Sequence, residues 1–256
     1  MRRPAALFPI VLALGAIIFA PRSAARAQDA REEGPREIEK CQTIDKPGSY
    51  KLVNDLTFSA TTGACLTITA DFVTIDLAGF TITGPVLENS FVPHPTAIEA
   101  VPPSGGQLVG IVVRNGSISN FAIGVELFST DGSIVEGLRV IGNSVSGPLC
   151  PFCLTGIDAN GIVRRNTVVG FHGSPGEGVG ISATGIVTGN YVTGSRAAGM
   201  QIGQGSTVIG NTVLKTSPAP DMFVTCPSNV TDNTTRAIVL IGTGCNTTNN
   251  VGVVSP

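Results

Sequence analysis

SIVEGLRVIG (Ser133 to Gly142), GIVRRNTVVG (Gly161 to Gly170), GIVTGNYVTG (Gly185 to Gly194), STVIGNTVLK (Ser206 to Lys215) and SNVTDNTTRA (Ser228 to Ala237) are five copies of one phrase. Their starts are separated by 28, 24, 21 and 22 residues. Position three is always valine: Val135, Val163, Val187, Val208 and Val230. Position eight is Val140, Val168, Val192, Val213 and then Thr235, and position six is Asn166, Asn190, Asn211 and Asn233 in the last four copies. A short fixed period built from β-branched runs and glycine is the mark of a stacked repeat. Helical periodicity is absent, so the repeating unit is a coil of strands and turns, and the chain reads as an all-β parallel β-helix with rungs of roughly 21–28 residues. Asparagine carries both donor and acceptor and tolerates left-handed turns, so position six is expected to stack amide on amide inside a turn.

A second phrase runs between the copies: a small residue, an apolar one, a variable one and another apolar one. It is seen at Gly124-Val125-Glu126-Leu127, Gly156-Ile157-Asp158-Ala159, Gly180-Ile181-Ser182-Ala183 and Gly199-Met200-Gln201-Ile202. Ala97-Ile98-Glu99-Ala100 precedes these, and Asp221-Met222-Phe223-Val224 and Ala237-Ile238-Val239-Leu240 continue them. Alternate residues of a strand face opposite ways, so the apolar pair points inward and the variable residue outward.

The segment from Cys41 to Gly84, CQTIDKPGSYKLVNDLTFSATTGACLTITADFVTIDLAGFTITG, opens the coil. It resembles the opening segment of exported bacterial right-handed parallel β-helix repeat proteins of the pectin-lyase-like superfamily. Val73-Thr74-Ile75-Asp76-Leu77 and Gly79-Phe80-Thr81-Ile82 carry the resemblance, with Ala78 where such sequences usually have asparagine. Val113 to Ile118 and Gly124 to Leu127 are also similar. The resemblance covers roughly residues 41 to 250 and implies a single right-handed coil. The superfamily holds lyases, hydrolases, epimerases, adhesins and coils of no known activity, so it implies little about function.

Ahead of the coil, Met1 to Ala27 has the basic start, apolar run and Ala25-Arg26-Ala27 site of a cleaved secretory signal. Gln28 to Lys40 is a charged leader, expected to be disordered, and residues 251–256 are expected to be a tail. Removing Arg2, Arg3, Arg22 and Arg26 from the 16 basic residues leaves 12 against 18 acidic ones. That balance, with no basic patch or basic amphipathic helix, argues against nucleic acid and a membrane surface as partners. The expected location is secreted or periplasmic. Six cysteines in an exported chain suggest disulfides. Many connectivities are possible; local pairing would join Cys41 with Cys65, Cys150 with Cys153, and Cys226 with Cys245.

The outward column of the second phrase carries the chemistry. It reads Glu99, Glu126, Asp158, Ser182, Gln201, Phe223, Val239. Like charges on rungs about 4.8 Å apart repel, which raises carboxylate pKa values or recruits a cation; calcium is the candidate at Glu99, Glu126 and Asp158. Glu126 and Asp158 are also candidate acid/base residues, with His172 in a glycine-rich loop assisting, and Glu99, Ser182, Gln201 and Phe223 are candidate ligand contacts. Phe171-His172-Gly173 is similar to the Gly-His-Gly of polygalacturonases without its first glycine. Thr155 stands where their catalytic aspartate belongs, and their Arg-Ile-Lys signature has no counterpart. Arg114, Arg139, Arg164, Arg165 and Arg196 are the arginines available to a lyase-like base. Two readings follow: a non-catalytic coil that binds glycan or serves as a surface module, and an enzyme acting on acidic polysaccharide through the acidic column. A solenoid's uncovered end would also offer an edge for self-association.

Overall fold

A computed structural model describes residues 34–85, 95–142, 154–172, 178–214, 216 and 220–256. The expected signal sequence and the Cys150/Cys153 pair lie outside them. Among the described residues every regular element is a strand, and the pairings between successive turns of the chain are parallel.

The repeats stack in the register that the sequence phrases demand. Val135 pairs with Val163, Val163 with Val187, Val187 with Val208, and Val208 with Val230. All five are fully buried. Position eight forms a second inward column, Val140, Val168, Val192 and Val213, ending at Thr235. The second phrase forms a third, in which Val125, Ile157, Ile181, Met200, Met222 and Ile238 stack in turn. The coil thus has three faces: the first from the second phrase, the second and third from positions three and eight. β-branched side chains pack well on such a pleated interior.

The small residue that opens the second phrase has a steric cause. A Cβ on Gly124, Gly156, Gly180 or Gly199 would strike a carbonyl oxygen of the next rung and the inward valine of the third face. One rung departs from this rule. Asp221 takes the small-residue position and is fully buried. Its carboxylate accepts from the Thr216 N–H (3.2 Å), the Thr235 hydroxyl (3.2 Å) and the Arg236 N–H (2.7 Å), with the Arg236 guanidinium 3.6 Å away.

The asparagine ladder forms inside the turn between the second and third faces. Each Nδ2–H donates to the next Oδ1: Asn166 to Asn190 (3.0 Å), Asn190 to Asn211 (2.9 Å), Asn211 to Asn233 (3.0 Å) and Asn233 to Asn250 (2.9 Å). Left-handed backbone falls one residue earlier than expected, at position five. Gly137, Arg165, Gly189, Gly210 and Asp232 all have φ between 55° and 64°. The bend is made at position five, which frees the asparagine to build the ladder.

The coil is longer than its expected limits of 41 and 250. Arg36–Ile38, assigned above to a disordered leader, is a strand that pairs with Tyr50, Lys51 and Leu52. Its cause is Ile38, an apolar residue in a charged segment, which is fully buried. Val251–Ser255, assigned above to a tail, pairs with Thr234–Ile241. Here Asn250 is the ladder asparagine of a sixth copy, CNTTNNVGVV, hidden because Thr247 replaces the valine of position three. Two of the expected disulfides are present: Cys41–Cys65 and Cys226–Cys245, with Cα atoms 4.5 and 4.9 Å apart.

Candidate functional site

Seven residues expected in one outward column do stand in one column. Glu99 pairs in register with Glu126, Glu126 with Asp158, Asp158 with Ser182, Ser182 with Gln201, Gln201 with Phe223, and Phe223 with Val239. Parallel pairing fixes their spacing at about 4.8 Å per step. Burial is the main cause that holds the Glu126 carboxyl above its ordinary range, with the charges of Glu99 and Asp158 on either side adding to it. Burial also raises Asp158, against a lowering hydrogen bond from Ser182 on the next rung.

The second face makes an instructive contrast at the same spacing. Its outward column runs Lys51, Asp76, Arg114, Glu136, Arg164, so the signs alternate. Arg114 reaches Asp76 at 3.1 Å and Arg164 reaches Glu136 at 2.6 Å. Those arginines are therefore committed to structural pairs. On the first face the signs are alike, and among the described residues Glu99, Glu126 and Asp158 make no ion pair.

Among the described residues no group of three or more His, Cys, Asp or Glu side chains is arranged to hold a metal ion. His172 is also placed elsewhere. It is exposed at the turn that leaves the third face, beside Gly170 and Gly194, and is not in the lining around Asp158.

The column instead forms one wall of a groove of about 440 Å³, within the range of small-molecule sites. Asp158, Ser182, Gln201 and Phe223 supply that wall. The neighbouring outward column supplies the other: Phe128, Asn160, Thr184, Gly203, Thr225 and Ile241. Phe128 and Ile241 are 62% and 51% exposed and give the groove apolar surface at its two ends. Asn160 is oriented by donating from Nδ2 to the Phe128 carbonyl (2.7 Å).

Gly203 is the residue of the second wall without a side chain. Any Cβ there would meet the Thr184 side chain. Its backbone does not need glycine, since its φ is not positive; the missing side chain leaves room for the Thr184 side chain of the neighbouring rung, which lines the groove. Sequence reading found the first wall but missed the second, because the residue after each phrase was not read as a column. The signal was present as Phe128, Asn160, Thr184, Gly203, Thr225, Ile241, each following the last residue of the phrase.

A cleft of about 530 Å³ lies at another turn, around Phe72, Pro102 and Pro103. Its one carboxylate, Asp71, is occupied by the Val109 N–H at 2.8 Å, so the lining presents little chemistry.

Comparison with known proteins agrees with the coil. A family model described as "Right handed beta helix region" matches residues 101–214. With the parallel three-faced winding, this makes the chain a right-handed parallel β-helix protein. Among solved structures, two A-modules of Azotobacter vinelandii mannuronan C-5 epimerases, AlgE4 and AlgE6, are similar. Each is 11% identical, covers 82% of this chain and 87% of its own, and has a TM-score of 0.27. No curated protein matches. Among the described residues no helix is long and apolar enough to cross a membrane.

Proposed function

We propose that the protein is an exported carbohydrate-binding β-helix, which holds a glycan chain in the groove on its first face. The observation that carries this reading is the lining itself. Hydroxyl, amide and carboxyl groups at Asp158, Asn160, Ser182, Thr184, Gln201 and Thr225 sit between the rings of Phe128 and Phe223. Sugars offer the complement: hydroxyls around the rim of each ring and apolar C–H faces that lie flat on aromatic surfaces. Export is supported by the two disulfides between neighbouring rungs, which persist in oxidising compartments. Titration calorimetry against a panel of soluble glycans tests the reading. At least one glycan should bind, and Phe223→Ala should weaken it at least tenfold; no binding by any glycan would sink it.

A catalytic reading is favoured by one observation. Glu126 and Asp158 stand on adjacent strands with both carboxyls held above their ordinary range. Two carboxyls separated by about 5 Å are the arrangement of a retaining glycosidase, where one donates a proton to the leaving oxygen and the other attacks the sugar. On this reading new reducing ends appear from a bound glycan and vanish in both Glu126→Gln and Asp158→Asn. Of the two acids only Asp158 lines the groove, which is why binding is the preferred function.

A further inference from the structure

Resting on the carbohydrate reading of the groove, we infer that its ligand is a neutral glycan, a polyuronate being excluded by the groove's charge. Among the described residues the lining contains no lysine, arginine or histidine, and its single ionisable group is Asp158. A uronate chain places a carboxylate on every sugar. Each would enter a groove that offers no counter-charge and would approach an anion of its own sign. Recognition of carboxylates elsewhere in proteins relies on arginine forks or lysine, and the arginines of the second face are held by Asp76 and Glu136. A neutral pyranose meets no such penalty. Its hydroxyls find donors and acceptors at Ser182, Gln201 and Asn160, and its C–H face finds the Phe223 ring.

Geometry sets where the ring sits. From the Asp158 rung to the Phe223 rung is three steps, about 14 Å at strand spacing, room for a short oligosaccharide lying along the coil axis. Gly203 lies between these limits, one rung from Phe223, and adds no side chain of its own to the second wall. Thr184 and Thr225, on the rungs to either side, border it.

The test measures binding of neutral cello-, xylo- and manno-oligosaccharides and of oligogalacturonate and oligoglucuronate by calorimetry, at low and physiological salt. Proteins are the wild type, Gly203→Val, Phe223→Ala and Asp158→Asn, each checked for native circular dichroism. One neutral series should bind, and both Gly203→Val and Phe223→Ala should weaken it by about tenfold or more. Uronates should bind roughly tenfold more weakly or not at all, with the gap narrowing in Asp158→Asn and at higher salt. Tighter binding of a uronate that Phe223→Ala abolishes overturns the neutral class while leaving the carbohydrate groove standing. Neutral binding untouched by both groove variants overturns the placement at Gly203. Absence of binding from either class overturns both this inference and the function it rests on.

Discussion

Asn190→Ala should be among the most damaging single substitutions outside the valine columns, and the cost can be worked from its bonds. The side chain is buried. Its Nδ2 donates to the Val163 carbonyl (2.8 Å) and to Asn211 Oδ1 (2.9 Å), and its Oδ1 accepts from the Asn166 N–H and Nδ2–H (both 3.0 Å). Alanine removes all four. Asn211 Oδ1 keeps the Asn190 backbone N–H, so it is not stranded, but two donors of Asn166 are left without their acceptor. At about 1 kcal/mol net per bond, with more for a buried orphan donor, the loss is about 3–5 kcal/mol. That is a large part of the ~5–15 kcal/mol that stabilises an ordinary domain. Asn250→Ala is the control. It loses similar contacts, to Asn233 and the Val230 carbonyl, but is only half-buried, so water replaces them and about 1 kcal/mol is lost. Urea unfolding followed by circular dichroism is the assay, since the chain has no tryptophan. Equal costs at the two positions, or less than about 1 kcal/mol at Asn190, would show that the ladder follows the backbone register and does not help to fix it.

Two further outcomes follow from the same geometry. Glu126 is held above its ordinary range in the fold, so the folded state binds the proton more tightly than the unfolded one. Stability should therefore fall as pH rises from the ordinary carboxylate range through the raised value, and Glu126→Gln should flatten this slope and be the more stable protein at neutral pH; identical slopes in melts across that range would refute the repulsion. Arg165 occupies the left-handed turn position that is glycine in three other copies. Arg165→Gly should leave stability unchanged or raise it by up to about 1 kcal/mol, whereas Gly189→Ala, where a Cβ has open space but the wrong φ, should cost about 1 kcal/mol in urea unfolding.

The fold was legible in the sequence because a coil repeats its physics. Each rung must supply two inward valines, one ladder amide and one position without room for a side chain, so the same letters return at the same spacing. Legibility failed where another residue could do a rung's work. Thr247 hid the sixth copy, and Ile38 acted alone in a charged leader with no second apolar residue to form a pattern. Asp221 was read as a small residue when it is a buried carboxylate with its own set of donors. The site was half legible. The column from Glu99 to Phe223 is predicted by strand alternation alone. Whether its carboxylates converge on a metal depends on side-chain direction, which spacing does not encode. The second wall of the groove includes Gly203, and a glycine in a glycine-rich chain gives no signal that its role is to leave room for Thr184.

The two outward surfaces show why function is better sought on the first face than on the second. Both carry charged residues at identical strand spacing, so the physical problem posed is the same. On the second face it is solved locally: acid and base alternate, and Arg114 and Arg164 each lie within 3.1 Å of a carboxylate. On the first face the acids are left alike, with the Glu126 carboxyl raised by burial and by its neighbours' charges, while Phe128 stands exposed on the Glu126 rung and Phe223 half-buried three rungs beyond Asp158. A stable coil needs neither feature, and each opposes stability or solubility. From Asp158 to Phe223 the groove sits on rungs whose interior is regular from Val163 to Val230, and the asparagine ladder ties the same rungs together. The wall residues are thereby fixed at their spacing before any ligand arrives, so binding need not spend free energy on ordering them.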